Sequence, residues 1–536
     1  MPDARDVLQL SPLILAALIP SILVIATVFV SERSPFRVAA FTTSLTAGLA
    51  GLAVSMQAIV SLLGYPAGES KIQGLVQLDV SSSAMLILVC TLAVVVVRYS
   101  RTYLAGEGGL DRYARSLLAT IASVTVLVVS NHLGFLIAGW VAAGVFLHQL
   151  LVFYRTRRQA VIVAHKKFLL GRVADLCFLG SLALISSEAG TLRIDALNAY
   201  AEHSSGALSP PLELATILLV LGVLLKTAQL PFHGWMLQVM EAPTPVSALL
   251  HAGVVNIGGF VMIRLSPLMA HAPVAQDILL GVGLGTALVG SLVMMTRMSI
   301  KLVLAWSTIA QMGFMLVQCG LGVWHLALLH LLAHSFYKAH AFLTSGNVVE
   351  AWRGNSIVHA KKSIFATIAA VILVGTISAG LWMASIRFSL HVPPPLRALA
   401  LALGLSFVPM LAKAFAAGAG AFGRALLFTV GASVAYFSGH EAFEFLIPSL
   451  EATPALTLRW WIVLGGLVLL FLAQTILQAS PNGVLARVLQ PFIHSGLYLD
   501  DWFTRLTFRL WPPQLDRAAP FRPSTSARPS RESRLF

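Results

Sequence analysis

Leu212-Glu-Leu-Ala-Thr-Ile-Leu-Leu-Val-Leu-Gly-Val-Leu-Leu-Lys226-Thr-Ala-Gln-Leu-Pro231 decides the class of this chain. Apart from Glu213, residues 212–225 are apolar or small, as a helix dissolved in lipid requires. The lysine that ends the run costs about 3 kcal/mol at the centre of a membrane helix, which makes it a functional candidate. Pro231 has no amide hydrogen to give to the carbonyl of Thr227, so the helix is expected to break just after Lys226. A broken helix with an amine at the break suits a proton path. A desolvated amine gives up its proton more easily, and freed backbone groups can hold water. The plainer alternative is a lysine that snorkels from a helix end.

Composition extends this reading to the whole chain. Of 536 residues, 57% are hydrophobic and 11% charged, and the mean hydropathy is +0.83. A soluble domain carries about 25% charged residues. Apolar runs place spans at approximately 7–30, 37–63, 79–97, 116–130, 132–153, 168–186, 212–240, 244–268, 276–296, 301–320, 322–349, 364–386, 396–416, 424–440 and 458–478. The expectation is an all-α polytopic membrane protein of about fifteen helices. The runs are too long and too evenly apolar for barrel strands. The N-terminal run, preceded by one base and two acids, reads as a first membrane helix and not as a cleaved signal.

The net charge of +14 could suggest nucleic acid, but its placement argues for topology. Arg33 and Arg37, then Arg98, Arg101, Arg112 and Arg115, sit between apolar runs. So do Arg155, Arg157, Arg158, Lys166 and Lys167, and then Arg353, Lys361 and Lys362. These positions are expected on the cytoplasmic side of a bacterial inner membrane, with the C-terminus cytoplasmic and the N-terminus outside. Loops around Tyr65–Lys71 and Ser186–Leu212 carry fewer bases. After the last span, Val484–Pro512 mixes large apolar residues with Arg505, Arg509 and the Asp500–Asp501 pair, which suits an interfacial helix. The chain thus divides into residues 1–97, a core at 98–350, further spans at 351–480, an amphipathic segment at 481–516 and a disordered basic tail at 517–536.

A second constellation is His330-Leu-Leu-Ala-His334-Ser-Phe-Tyr-Lys338. Its i, i+4, i+8 spacing stacks three ionisable side chains along one helix face. Imidazoles accept on one nitrogen and donate from the other, so the series can relay protons. Metal binding and inert polar packing are the alternatives. In Glu241-Ala-Pro243-Thr-Pro245, two prolines restart a helix and place His251 about two turns in. Glu241 is a candidate to face Lys226 across the break. Arg172 and Asp175, three apart, share a face and could form a local ion pair. Lys301 and Lys413 lie near predicted helix ends and are weaker candidates.

Cys90, Cys177 and Cys319 are dispersed within spans, so neither an iron–sulfur cluster nor a zinc site is expected in this chain. Gly418-Ala-Gly420-Ala-Phe-Gly423 matches the dinucleotide fingerprint literally, but no strand precedes it, and a turn or close packing explains it better.

These motifs, in this order, resemble the antiporter-like membrane subunits of respiratory complex I and Mrp antiporters. The resemblance rests on Lys226-Thr-Ala-Gln-Leu-Pro-Phe-His-Gly-Trp, on Met240-Glu-Ala-Pro-Thr-Pro-Val-Ser-Ala-Leu-Leu-His-Ala, on Trp306-Ser-Thr-Ile-Ala-Gln-Met-Gly-Phe-Met and on the His330–Lys338 series. It implies an antiporter-like fold with discontinuous helices. It also implies that Lys226 is the broken-helix lysine, that Lys338 is the second channel lysine, and that His251, His330 and His334 form a connecting axis. The family's Gly-Trp-Glu reads Gly139-Trp140-Val141 here, so the usual acidic partner of the first lysine is missing. Asp175 matches a second family acid.

Leu250-His-Ala-Gly-Val-Val-Asn-Ile-Gly-Gly-Phe260, His165-Lys-Lys-Phe-Leu and Tyr498-Leu-Asp-Asp-Trp-Phe-Thr-Arg-Leu-Thr resemble the membrane subunits of DAB-type inorganic carbon pumps. That resemblance implies a cytoplasmic DabA-like partner similar to β-carbonic anhydrases. The partner would hold the zinc and perform the catalysis, with no cofactor in this chain. Cation flow would drive CO₂ hydration to bicarbonate there. The competing expectations are a pumping subunit of a complex I-like or hydrogenase redox enzyme, and a Mrp-like Na⁺/H⁺ antiporter subunit.

Overall fold

The computed structural model describes residues 4–64, 74–154, 157–203, 208–347, 364–387, 394–446, 454–480 and 482–511. The tail at 517–536, the loop at 65–71 and the positions Arg155, Arg353, Lys361 and Lys362 fall outside these residues. The described residues are overwhelmingly helical. The first six helices are α1 (Ala4–Phe29), α2 (Pro35–Leu62), α3 (Val80–Tyr103), α4 (Leu110–Val129), α5 (Leu133–Leu151) and α6 (Arg158–Ala189). The short α7 (Ile194–Glu202) leads to α8 (Pro210–Lys226) and α9 (Gly234–Gln238). Then come α10 (Thr244–Ala252), α11 (Ile257–Arg264), α12 (Ser266–Ala270), α13 (Pro273–Met294), α14 (Ile300–Gly320) and α15 (Trp324–Leu343). The remainder is α16 (Ile364–Arg387), α17 (Pro394–Ala416), α18 (Ala419–Leu446), α19 (Pro454–Ala479), α20 (Val484–His494) and α21 (Asp501–Leu510).

Among the described residues eleven stretches are long and apolar enough to cross a membrane, and two shorter apolar helical segments lie at Phe365–Gly380 and Leu403–Ala416. Two expected continuous spans are interrupted. The run at 212–240 stops at Lys226 and resumes at Gly234, and the run at 244–268 breaks at Gly253–Asn256. The expected single amphipathic helix after residue 484 is two helices joined by a turn. Gly496 takes φ +63° there, followed by Leu497 and Tyr498 at φ +55°. Gly418 likewise supplies a left-handed turn between α17 and α18, at φ +106°. The glycine-rich match is therefore a helix connection, and no strand precedes it.

The alternating helices define two ends. At the basic end, Arg157 of the α5–α6 connection lies 3.7 Å from Glu241, and Lys301 at the start of α14 donates to Thr244 at the start of α10. At the opposite end, isolated antiparallel bridges join Val76 to Ser130 and His132 to Arg193. Arg264 there pairs with Asp79 and donates to the Ser130 carbonyl. Asp79 is also the N-cap of α3, closing a capping box with Ser82.

Close approach of α13 and α14 depends on glycine. A Cβ at Gly313 would lie 2.6 Å from the Gly283 carbonyl, and one at Gly283 would lie 2.7 Å from the Gly313 carbonyl. In lipid, where helices gain little from hydrophobic burial against each other, such small-residue seams hold helix pairs together by packing.

Candidate functional site

The break after Lys226 follows from local hydrogen bonding. Pro231 leaves the Thr227 carbonyl without its helical donor, and the Gln229 side-chain amide donates to it at 3.0 Å. The Thr227 hydroxyl caps Val223 at 2.8 Å. The Leu230 amide is taken up by the Thr286 hydroxyl of α13 at 3.1 Å. Ala228, buried at φ +56°, sits in the left-handed region that costs an L residue about 1–2 kcal/mol. The surrounding packing holds this strain, as it commonly does at functional sites.

Lys226 therefore ends α8 at the negative pole of that helix dipole. Its amine lies 2.8 Å from the Asp175 carboxylate of α6. Arg172 occupies the other oxygen of Asp175 at 2.7 Å. The rings of Trp140 and Phe178 stand 5.1 and 5.3 Å from the amine. A cavity opens beside it, lined by Lys167, Gly171, Arg172, Lys226, Trp235 and Leu250 among others. Lys167 spends one of its hydrogens on the Gly144 carbonyl at 2.8 Å. Asp175 thus supplies a carboxylate to Lys226 in a chain with valine at 141.

Along α15 the three spaced residues line a polar file. His330 faces Gln318 of α14 at 2.8 Å, and its ring lies 6.0 Å from that of His334. Lys338, 1% exposed, donates to the Leu304 carbonyl at 3.0 Å and to the Ser307 hydroxyl. Among the described residues no carboxylate pairs with it. His251 stacks on Phe342 of α15, with ring centroids 4.3 Å apart. Both ring nitrogens of His251 and of His334 are buried without a protein partner among the described residues. Asn256, in the second break, donates to Ser335 at 2.6 Å and to the Ala252 carbonyl at 3.0 Å, tying that break to α15.

Other candidates are placed elsewhere. Glu241 does not face Lys226. The chain between 227 and 241 carries it to the basic end, where it meets Arg157 on the surface, while Asp175 fills the position beside the lysine. Lys301 bonds Thr244 at 3.0 Å near the basic end. Lys413, in the last turn of α17, is exposed and stands apart from the file. Lys166 and Lys167 lie inside α6 and not in a loop, because that helix already begins at Arg158.

Sequence reasoning passed over three features. Lys166 is fully buried and bonds Asp500 at 2.6 Å and Thr504 at 2.9 Å on α21. Gly234 lacks the Cβ that would collide with that Asp500 carboxylate. His325 and His440 bond each other at 2.8 Å. His325 opens the same helix as the His330 series, which was its one signal in the sequence.

The family model described as NADH:quinone oxidoreductase/Mrp antiporter, transmembrane, matches residues 130–391. A probable inorganic carbon transporter subunit DabB of Hydrogenovibrio crunogenus is 39% identical over 475 residues, covering 87% of this chain and 87% of that protein. A probable subunit DabB2 of Halothiobacillus neapolitanus is 37% identical over 495 residues, covering 90% of this chain and 88% of that one. A chain of the Mrp complex from Dietzia sp. shares the fold, with a TM-score of 0.57 at 20% identity, over 95% of this chain and 60% of that one. With these similarities and its broken-helix architecture, this chain belongs to the DabB family of inorganic carbon transporter subunits, within the antiporter-like membrane proteins of the complex I and Mrp type.

Proposed function

We propose that this chain conducts protons through the Lys226 and Lys338 half-channels and that their flow drives inorganic carbon uptake. A DabA-like zinc subunit, docked at the basic end, hydrates CO₂ to bicarbonate in one direction. The basic end and α20–α21 then face the cytoplasm of a bacterial cell, and the protein lies in the inner membrane. The names of the relatives, probable inorganic carbon transporter subunits, support the cargo.

One observation carries the proton reading. Lys338 is buried against a carbonyl and a hydroxyl, in line with His334 and beside His251, whose ring nitrogens have no protein partner. A buried ammonium without a counter-ion is costly, and an amine that can lose its proton relieves that cost. Lys226 differs in having a carboxylate, Asp175, 2.8 Å from its amine. A proton reaching the histidine file would repel one at Lys338 and favour a state of the partner.

The test is bicarbonate accumulation in a carbonic-anhydrase-deficient bacterium expressing this chain with its partner. Uptake should require both chains and collapse with an uncoupler. Lys226→Ala and Lys338→Ala should each abolish it. Normal uptake in both variants would refute the mechanism.

A further inference from the structure

We propose that His325, His440 and Glu444 form the proton mouth at the end opposite the basic loops, feeding the His330–His334–Lys338 file. This inference rests on the proton reading above and adds an access site to it.

Antiparallel helices α15 and α18 bring the three groups together. His325 Nε2 lies 2.8 Å from His440 Nδ1. His440 Nε2 lies 2.9 Å from Glu444 Oε2. Both histidines are 1% exposed, whereas the Glu444 side chain is 30% exposed. The array therefore runs from a carboxylate at the edge of the bundle to an imidazole inside it. Glu441, on the same helix, is the other acid acting on His440.

The distances assign the hydrogens. Two ring nitrogens at 2.8 Å hold one hydrogen between them, so one donates and the other accepts. The Glu444 carboxylate, 2.9 Å from His440 Nε2, draws the hydrogen of His440 to that nitrogen by its charge. His440 Nδ1 is then the acceptor and His325 Nε2–H the donor. This leaves His325 Nδ1, buried and without a partner among the described residues, as an open acceptor. A proton taken up there sends the Nε2 proton to His440 Nδ1. His440 in turn gives its Nε2 proton to Glu444, which passes it to water. One proton is moved for one taken up, and only N–H and O–H bonds change. Inward transfer is the reverse sequence.

The same three residues have ligand atoms within 4.8 Å of one another and could be read as a metal site. Zinc bonded at about 2.0–2.1 Å in tetrahedral geometry holds two nitrogens about 3.3 Å apart, with both lone pairs aimed at the ion. The 2.8 Å contact between facing ring nitrogens fits a shared hydrogen instead.

His325 shares α15 with the lysine file and precedes His330 by about 7.5 Å along the axis and about 140° around it. His325, His330, His334 and Lys338 descend one helix over roughly 20 Å at 1.5 Å per residue. His330 is fixed by Gln318 at 2.8 Å, and its ring meets that of His334 edge-on. Leu326, Trp460 and Val463 belong to one apolar core beside α15.

The complex of this chain with its partner would be reconstituted in liposomes, and proton flux read with an enclosed pH dye. Wild type should conduct. His440→Gln and Glu444→Gln should each lower flux about a hundredfold, the scale of a lost proton-transfer group. Glu444→Asp should keep most of it. Zn²⁺ added at the end bearing Glu444 should block wild type, and Zn²⁺ at the basic end should leave it conducting. The wild-type zinc block needs no substitution, so a misfolded variant does not leave the idea unexamined. Full flux in both Gln variants overturns the mouth while leaving the proton reading intact. A wild type that conducts no protons overturns both. Stoichiometric zinc co-purifying with wild type and lost from His440→Gln replaces the relay with a metal site.

Discussion

Asp175 holds Lys226 at 2.8 Å with one oxygen and Arg172 at 2.7 Å with the other, so a single carboxylate compensates two cations at the helix break. Asp175→Asn should leave the buried Lys226 amine beside Arg172 with no carboxylate between them. Breaking a buried pair costs about 3–5 kcal/mol, and that is the expected loss in unfolding free energy in detergent. Proton flux should fall at least as far as in Lys226→Ala, and Asp175→Glu should restore part of both. Unchanged flux and stability in Asp175→Asn would show that the pair is incidental.

Ser307 and the Leu304 carbonyl are the protein acceptors for Lys338. Ser307→Ala should remove one hydrogen bond to a charged group, about 1.5–3 kcal/mol. Flux should drop several-fold while Lys338→Gln abolishes it. A Ser307→Ala protein as inactive as Lys338→Gln would place the hydroxyl in the transfer path itself.

Acid stability should report on Asp79. Burial alone would raise its carboxyl. The Arg264 guanidinium, the Ser82 amide and the Ser81 and Ser82 hydroxyls outweigh this and hold it below the ordinary carboxylate value. A depressed native value stabilises the fold at pH above the unfolded value of about 3.9, and that stability is lost as pH falls through the native value. The melting midpoint in detergent should therefore decline as the pH is taken below about 4. Asp79→Asn should be less stable at neutral pH and show a smaller acid decline. A variant with the full wild-type decline would assign it to other carboxylates.

The seam between α13 and α14 gives a paired comparison. Gly313→Ala puts a methyl group against the Gly283 carbonyl and should cost about 1–3 kcal/mol. Gly281→Ala, with open space around its Cβ position, should be neutral or stabilise by up to about 1 kcal/mol. Equal effects in a detergent unfolding series would refute the close packing.

Much of this arrangement is legible in the sequence where the cause is local. Pro231 breaks the helix after Lys226, and the i, i+4, i+8 spacing files His330, His334 and Lys338 along α15. What escapes is pairing between helices. Asp175 and Glu241 both flank Lys226 in sequence, and only packing of α6 on α8 decides between them. His325 and His440 are 115 residues apart, and periodicity has no access to such a meeting. Lys166 reads as a loop charge because its counter-ion, Asp500, lies 334 residues downstream. With that partner in place, a buried lysine inside α6 becomes affordable.

The Lys166–Asp500 bond has a consequence for biosynthesis. Asp500 belongs to a segment translated after α1–α19, and Trp511 beyond it stacks on His165 with ring centroids 3.9 Å apart. The nascent chain therefore carries Lys166 uncompensated through most of its insertion. Reaching the membrane and being finished are separate events for this protein. A chain stopped before Asp500 would be inserted with its base unsealed, as a substrate for membrane proteolysis more than a transporter.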